Sequence, residues 1–234
     1  MLSDLLYSLK ETEFFFNLFG YISFRSGLSL VTSFFIVIIL MPHWIRFQKS
    51  IFPSGQPIRN DGPDTHYHKK GTPTLGGVLI LFSIILSSIL WTSNFSSFNY
   101  ILILTLTLFG LIGLVDDFQK VKLGKGISSK TKFLSQLLAT IIIYLTIKYN
   151  GYDLNKFSIP FLKDVSIELG YLYFVLILLI VVGSTNATNL TDGLDGLVSM
   201  PLIFVFLTFA IFAYVLGNIN FSDYLLVNYM KGSG

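Results

Sequence analysis

Six long apolar runs, at residues 23–42, 74–93, 98–115, 133–149, 170–186 and 199–217, leave this chain few ways to fold. About 20 apolar residues wound as an α-helix cross a hydrocarbon core of about 30 Å, and a helix satisfies its own backbone there. Only 12% of the chain is charged against 53% hydrophobic, where a soluble domain carries about 25% charge. The expectation is an all-α, polytopic transmembrane helix bundle. No internal repeat or low-complexity linker divides it, so residues 1–234 read as a single integral membrane domain. The runs at 133–149 and 170–186 are short, and flanking polar residues would lengthen them. Arg25, near the start of the first run, has a side chain long enough to snorkel to the interface. Asp4, Glu11 and Glu13 stand where a cleaved leader would be basic, so the first span is expected to be retained.

The connecting segments alternate in charge. Segment 43–73 holds Arg46, Lys49, Arg59, Lys69 and Lys70, and segment 116–132 holds Lys120, Lys122, Lys125, Lys130 and Lys132, ten of the sixteen basic residues. The positive-inside rule puts both on the cytoplasmic side. The 94–97 turn is uncharged and the 150–169 loop is mixed, as suits the opposite face; the 187–198 loop then falls inside by parity. A net charge of +3 gives no reason to expect nucleic acid, and the absence of cysteine excludes thiolate ligands and nucleophiles.

Three loops on that inner side carry the unusual chemistry. Asp116 and Asp117 close the third run, where two carboxylates can bind Mg2+, a cation that prefers hard oxygen ligands and keeps some water. The plainer alternative is a solvated acidic helix end, but acids are disfavoured at a helix C-terminus and would need a compensating cation there. Neighbouring helical positions diverge by about 100°, so the two carboxylates should have different tasks. Asn189, Asp192 and Asp195 recur every third position and share a face if helical, with Gly193 and Gly196 permitting close approach of a ligand. An ordinary Asn/Asp/Gly turn is the competing reading. In Lys69 to Gly77 (KKGTPTLGG), lysines precede a Gly/Thr/Pro turn and a helix start, a place for a phosphate, though without P-loop spacing. His66 and His68 make only a weak metal pair, and His43 has no assigned role. The lysines around Gly124 and Gly126 could attract a nucleotide diphosphate or anionic head groups, while membrane topology alone accounts for most of them. Together the loops offer metal-binding oxygens, anion-binding cations and a polar face, much of what phosphoryl transfer requires.

GPDTHYHKKGTPTLGG, GLVDDFQKV and NATNLTDGLDGL, in this order and spacing, closely resemble the bacterial phospho-N-acetylmuramoyl-pentapeptide transferases of the polyprenyl-phosphate N-acetylhexosamine-1-phosphate transferase superfamily. The resemblance runs from the first span to the end of the chain. It implies a Mg2+-dependent phosphoglycosyl transferase of the bacterial cytoplasmic (inner) membrane. Its reaction moves phospho-MurNAc-pentapeptide from UDP-MurNAc-pentapeptide to undecaprenyl phosphate, giving lipid I and UMP for peptidoglycan and cell-wall synthesis. On the same resemblance Asp116, Asp117 and Asp192 are catalytic, with Asp117 and Asp192 bearing on the metal. Lys69, Thr74, Lys120, Lys132, Asn189, Gly193 and Asp195 are implied to bind substrate, and homodimerisation is implied by family likeness alone. Two mechanisms stay open: Asp116 deprotonates the lipid phosphate for direct attack, or an aspartate attacks to give a covalent intermediate. A phosphate monoester with a second pKa near 6 is already largely dianionic at neutral pH, which leaves positioning as the main contribution.

The family fold has about ten spans, and six are read here. The remainder carries a further metal-binding aspartate and a histidine-rich loop. If these 234 residues were the whole product, the expectation is a chain holding half an active site and inactive alone. Three other readings compete: a related UDP-GlcNAc polyprenyl-phosphate transferase, an inert membrane remnant, and a cation-coupled transporter. The HKKGTPTLGG string favours the muramoyl branch over the first. The transporter lacks a mid-span carboxylate and an inverted repeat.

Overall fold

The computed structural model describes residues 1–53, 73–159, 162, 165–192 and 196–233. A short helix α1 (Leu2–Ser8) and two 3-10 turns (Leu9–Glu11 and Phe14–Gly20) precede six apolar helices. These are α2 (Ile22–Ile51), α3 (Gly76–Trp91), α4 (Ser97–Leu123), α5 (Ser129–Tyr149), α6 (Leu172–Thr191) and α7 (Ser199–Leu216), followed by a short α8 (Ile219–Tyr224). Every apolar run is a helix, and five of the six are long and apolar enough to cross a membrane. The sixth, α3, has 16 residues, a length of about 24 Å. The chain is a multi-pass membrane protein. Between α5 and α6 the hydropathy pattern gave no sign of an antiparallel pair of three-residue strands, β1 (Lys156–Ser158) and β2 (Ser166–Glu168), which aligns Lys156 with Glu168.

The helices overrun the apolar runs at their polar ends. α2 passes through Pro42 and continues to Ile51, and α4 continues from Asp116 to Leu123. The anticipated lengthening of the fourth and fifth runs also occurs, α5 taking in Ser129 to Lys132 and α6 reaching Thr191. Burial runs opposite to that of a water-soluble core: among the described residues the completely buried side chains are Gln136, Thr140, Ser3, Ser83, Ser87 and Ser222. Meanwhile α7 buries nothing and displays Phe204, Phe206 and Phe209. Small polar groups that bond within the protein and apolar groups turned outward are what a hydrocarbon solvent selects.

Contacts group residues 1–95 with 103–132, and residues 96–102 with 133–234, into two compact units. In the first, α2 and α3 pack antiparallel. Trp44 Nε1 donates to the Leu75 carbonyl at 3.0 Å, Ser33 and Ser83 hydroxyls meet at 3.1 Å, and Trp91 Nε1 donates to Thr32 Oγ1 at 2.9 Å. Phe19 of the N-terminal segment stacks on Trp91, with ring centroids 6.0 Å apart and planes inclined by 10°. α4 meets α3 where Gly110 lies against Leu81; a Cβ at Gly110 would collide with Leu81 Cδ1. Arg25, near the start of α2, has a buried Nε without a hydrogen-bond partner among the described residues.

In the second unit, α5 and α6 are joined by paired amides. Asn186 Nδ2 donates to Gln136 Oε1 at 3.0 Å and to the Val182 carbonyl at 2.9 Å, while Gln136 Nε2 reaches Asn186 Oδ1 at 3.5 Å. Thr140 Oγ1 donates to the Gln136 carbonyl at 2.8 Å. The Phe98 and Tyr152 rings lie 4.7 Å apart, and Ser96 Oγ donates to the Gly232 carbonyl at 3.1 Å.

Candidate active site

The aspartate pair sits two turns inside α4 rather than at its end. The helix C-terminus falls at Leu123, and its last turn carries Lys120 and Lys122, the sign that the helix dipole favours. The dipole penalty expected for Asp116 and Asp117 is therefore absent, yet the compensating cation is present for another reason. Asp116 is 7% exposed, and a carboxylate so far removed from water needs partners on both oxygens.

Those partners come from three directions. Lys120 Nζ, one turn along α4, lies 2.7 Å from Asp116 Oδ2 and 3.0 Å from Asp117 Oδ1, bridging the pair. The loop after α4 turns back through Gly124, whose φ of +75° suits glycine, and presents the Ile127 amide to Asp116 Oδ1 at 3.0 Å. Ser128 then caps α5, its Oγ accepting from the Thr131 amide at 3.1 Å. That cap fixes the first turn of α5, from which Lys132 Nζ reaches to 3.9 Å from Asp116 Oδ2. Gly126 passes so close that a Cβ there would stand 2.5 Å from Asp116 Oδ1.

The two carboxylates are thus unlike. Asp116 has a backbone amide on one oxygen and an ammonium on the other; Asp117, with a side chain 33% exposed, shares Lys120 through Oδ1 alone. Asp117 can therefore turn an oxygen outward. Mg2+ binds through one or two carboxylates, several waters and substrate phosphates, and does not require a full protein cage. A partly exposed carboxylate oxygen offers one hard ligand to such an ion, whereas the neighbouring Lys120 ammonium repels a cation and suits phosphate oxygens instead. No group of three or more His, Asp or Glu side chains gathers among the described residues, so metal affinity would depend on substrate oxygens.

Thr74 is half-buried just before α3, in the same unit as Asp116, Asp117, Lys120 and Lys132. Lys69, Gly193 and Asp195 lie outside the described residues, as do His66 and His68. Asn189 and Asp192 belong to the second unit. Asn189 is exposed on the last turns of α6, and Asp192 is the exposed residue that ends the helix, with φ −76° and ψ 41°. Asn186, one turn before Asn189, is the residue held by Gln136. Sequence reasoning did not single out Ile127 or Gln136 and gave Gly126 no contact of its own. A lone glutamine within the apolar run 133–149 was the one signal for Gln136.

The family model described as glycosyl transferase family 4 matches residues 99–232, more than half of the chain and including both aspartate motifs. Phospho-N-acetylmuramoyl-pentapeptide-transferases from Rickettsia prowazekii, Desulfotalea psychrophila and Desulforapulum autotrophicum are 39%, 40% and 43% identical to it over 237 aligned positions. Each alignment covers 100% of this chain and 66% of the relative.

Proposed function

The chain belongs to glycosyl transferase family 4, and from that premise we propose that it transfers phospho-MurNAc-pentapeptide from UDP-MurNAc-pentapeptide to undecaprenyl phosphate, releasing UMP. The observation that carries this reading is the bridged cluster of Asp116, Asp117 and Lys120 in the last turns of α4 with Lys132 from the first turn of α5. In the reaction an oxygen of the lipid phosphate attacks the phosphorus that bears the sugar. The new P–O–P link forms as the bond from that phosphorus to the UMP oxygen breaks, and UMP leaves with the electron pair. Both reactants are anions, so catalysis consists largely of bringing them together and offsetting their charge.

Asp117 would hold Mg2+, with Asp192 as the second acidic contributor, and the bound ion would supply charge neutralisation to the pyrophosphate oxygens. Lys120 and Lys132 face the incoming phosphates, and Thr74, Lys69, Asn189, Gly193 and Asp195 bind the remainder of the substrate. Asp116, engaged on both oxygens, orients Lys120 and the 124–128 loop in preference to acting as a free base. Ten of sixteen basic residues in the two loops favour a cytoplasmic site in the bacterial inner membrane.

The test is UMP release by the 234-residue chain in membranes, given both substrates and Mg2+, with Asp117→Ala as the control. Release that the variant and excess EDTA both abolish supports the proposal. Where the chain alone is silent, the assay is repeated with the C-terminal third of a relative supplied in trans. Silence there too sinks the reading, and release with UDP-GlcNAc in place of the muramoyl donor reassigns the substrate.

A further inference from the structure

Gln48 is an anomaly in the cytoplasmic-end turns of α2. It is 4% exposed, and its Nε2 has no hydrogen-bond partner among the described residues. An unpaired buried amide is costly, so its burial calls for a partner that the described residues do not supply. Gln48 opens onto a small cavity that Lys49, Phe52, Pro73, Thr74 and Val121 also line, with room of about 10 Å³, enough for one oxygen-sized group.

The position of this cavity narrows the choice of guest. Val121 is one turn beyond Asp117 on α4, so the two share a face of that helix. The Phe52 and Phe118 rings meet edge to face, centroids 6.0 Å apart, and hold the end of α2 against α4. Half-buried Thr74 and exposed Lys49 border the space, bringing a hydroxyl-bearing and a cationic residue to its edge beside apolar Phe52, Pro73 and Val121. An anionic oxygen suits that set better than a neutral one, since bonds to charged acceptors are the strong ones.

We propose that Gln48, with Lys49 and Thr74, forms a subsite that takes one oxygen of a phosphate-bearing substrate. This rests on the transferase reading and adds a residue to it. Two sources share the chemistry: the diphosphate of a sugar nucleotide and the head of a polyprenyl phosphate.

The experiment measures equilibrium binding of UMP or UDP in one arm and of a short-chain polyprenyl phosphate in the other, on the 234-residue chain in nanodiscs. Wild type is compared with Gln48→Leu and Gln48→Glu, and melting temperature is recorded for each. Gln48→Leu is expected to weaken one of the two ligands by about tenfold or more, and Gln48→Glu, which sets a carboxylate beside the phosphate, to weaken it further. The melting temperature should hold or rise with Leu, because an unpaired amide has been removed. The arm that responds identifies the source. If neither affinity moves by more than about twofold, or if Leu lowers the melting temperature while affinity is kept, Gln48 is a packing group and the subsite is rejected. Should Gln48→Leu fail to accumulate, Gln48→Met takes its place with the same criteria. Wild type binding neither ligand, alone or with the C-terminal third of a relative supplied in trans, would reject the transferase reading as well; wild type binding that is indifferent to Gln48 rejects this inference alone.

Discussion

The backbone amide of Ile127 donates to Oδ1 of Asp116 at 3.0 Å, closing residues 116–127 onto the carboxylate that begins them. The bond makes the loop after α4 part of the aspartate's own environment, and the position between them has no space to spare.

Gly126→Ala tests that closure. Its Cβ would stand 2.5 Å from Asp116 Oδ1 and 3.2 Å from Lys120 Cε, so carboxylate and lysine must both shift. UMP release is expected to fall by about tenfold or more, since misplacement by about 1 Å can cost a hundredfold. Circular dichroism should show unchanged helix content. Wild-type rates in Gly126→Ala would mean the loop closure is irrelevant to the chemistry.

Lys120→Met removes the ammonium shared by Asp116 and Asp117, whereas Lys132→Met removes one that is 3.9 Å away. The Lys120 variant is expected to lose about a hundredfold in rate, about 2.7 kcal/mol, and the Lys132 variant less, because of the two lysines Lys120 alone touches both carboxylates. Initial rates at saturating substrate decide the order, and equal losses would contradict the geometry.

Gly110→Leu drives a side chain into Leu81, so it should lower the melting temperature in detergent by several degrees. Adding Leu81→Ala should restore much of the loss, because the pair exchanges which helix supplies the bulk. Failure of that rescue would place the effect somewhere other than the contact of α3 with α4.

Gln136→Leu and Asn186→Leu should each destabilise the second unit, and the double variant by less than the sum. A coupling of about 0.6–1.7 kcal/mol is expected for one interhelical polar pair in a bilayer, measured by a double-mutant cycle on unfolding. Strict additivity would show that the two amides do not depend on each other.

The membrane architecture was legible because hydrocarbon allows so few solutions: each of the six runs became a helix. Helix length was not legible in the same way. Hydropathy reports where lipid ends, and a helix does not stop there; α4 runs through DDFQKVK to Leu123, and α2 passes Pro42, where the absent N–H is tolerated. The approach of Lys120 to Asp116 follows from i,i+4 spacing and could be read directly. Ile127 could not, since its approach depends on the left-handed turn at Gly124. Gln48 was invisible for a simpler reason: a polar residue beside Lys49 near a span end reads as solvated until its burial is known.

The 16 residues of α3 fall about 6 Å short of a hydrocarbon core about 30 Å thick. A short span is accommodated by local thinning of the bilayer or by snorkelling of its flanking residues, and thinning here would draw a hollow into the bilayer surface around Thr74 and the Gln48 cavity. A polyprenyl phosphate drifting into that hollow would have its head group lowered to the level of the donors while its tail stayed in oil. On the proposed transferase reading, changing the thickness of the host membrane should tune the encounter with lipid while leaving the encounter with a water-borne nucleotide unaltered.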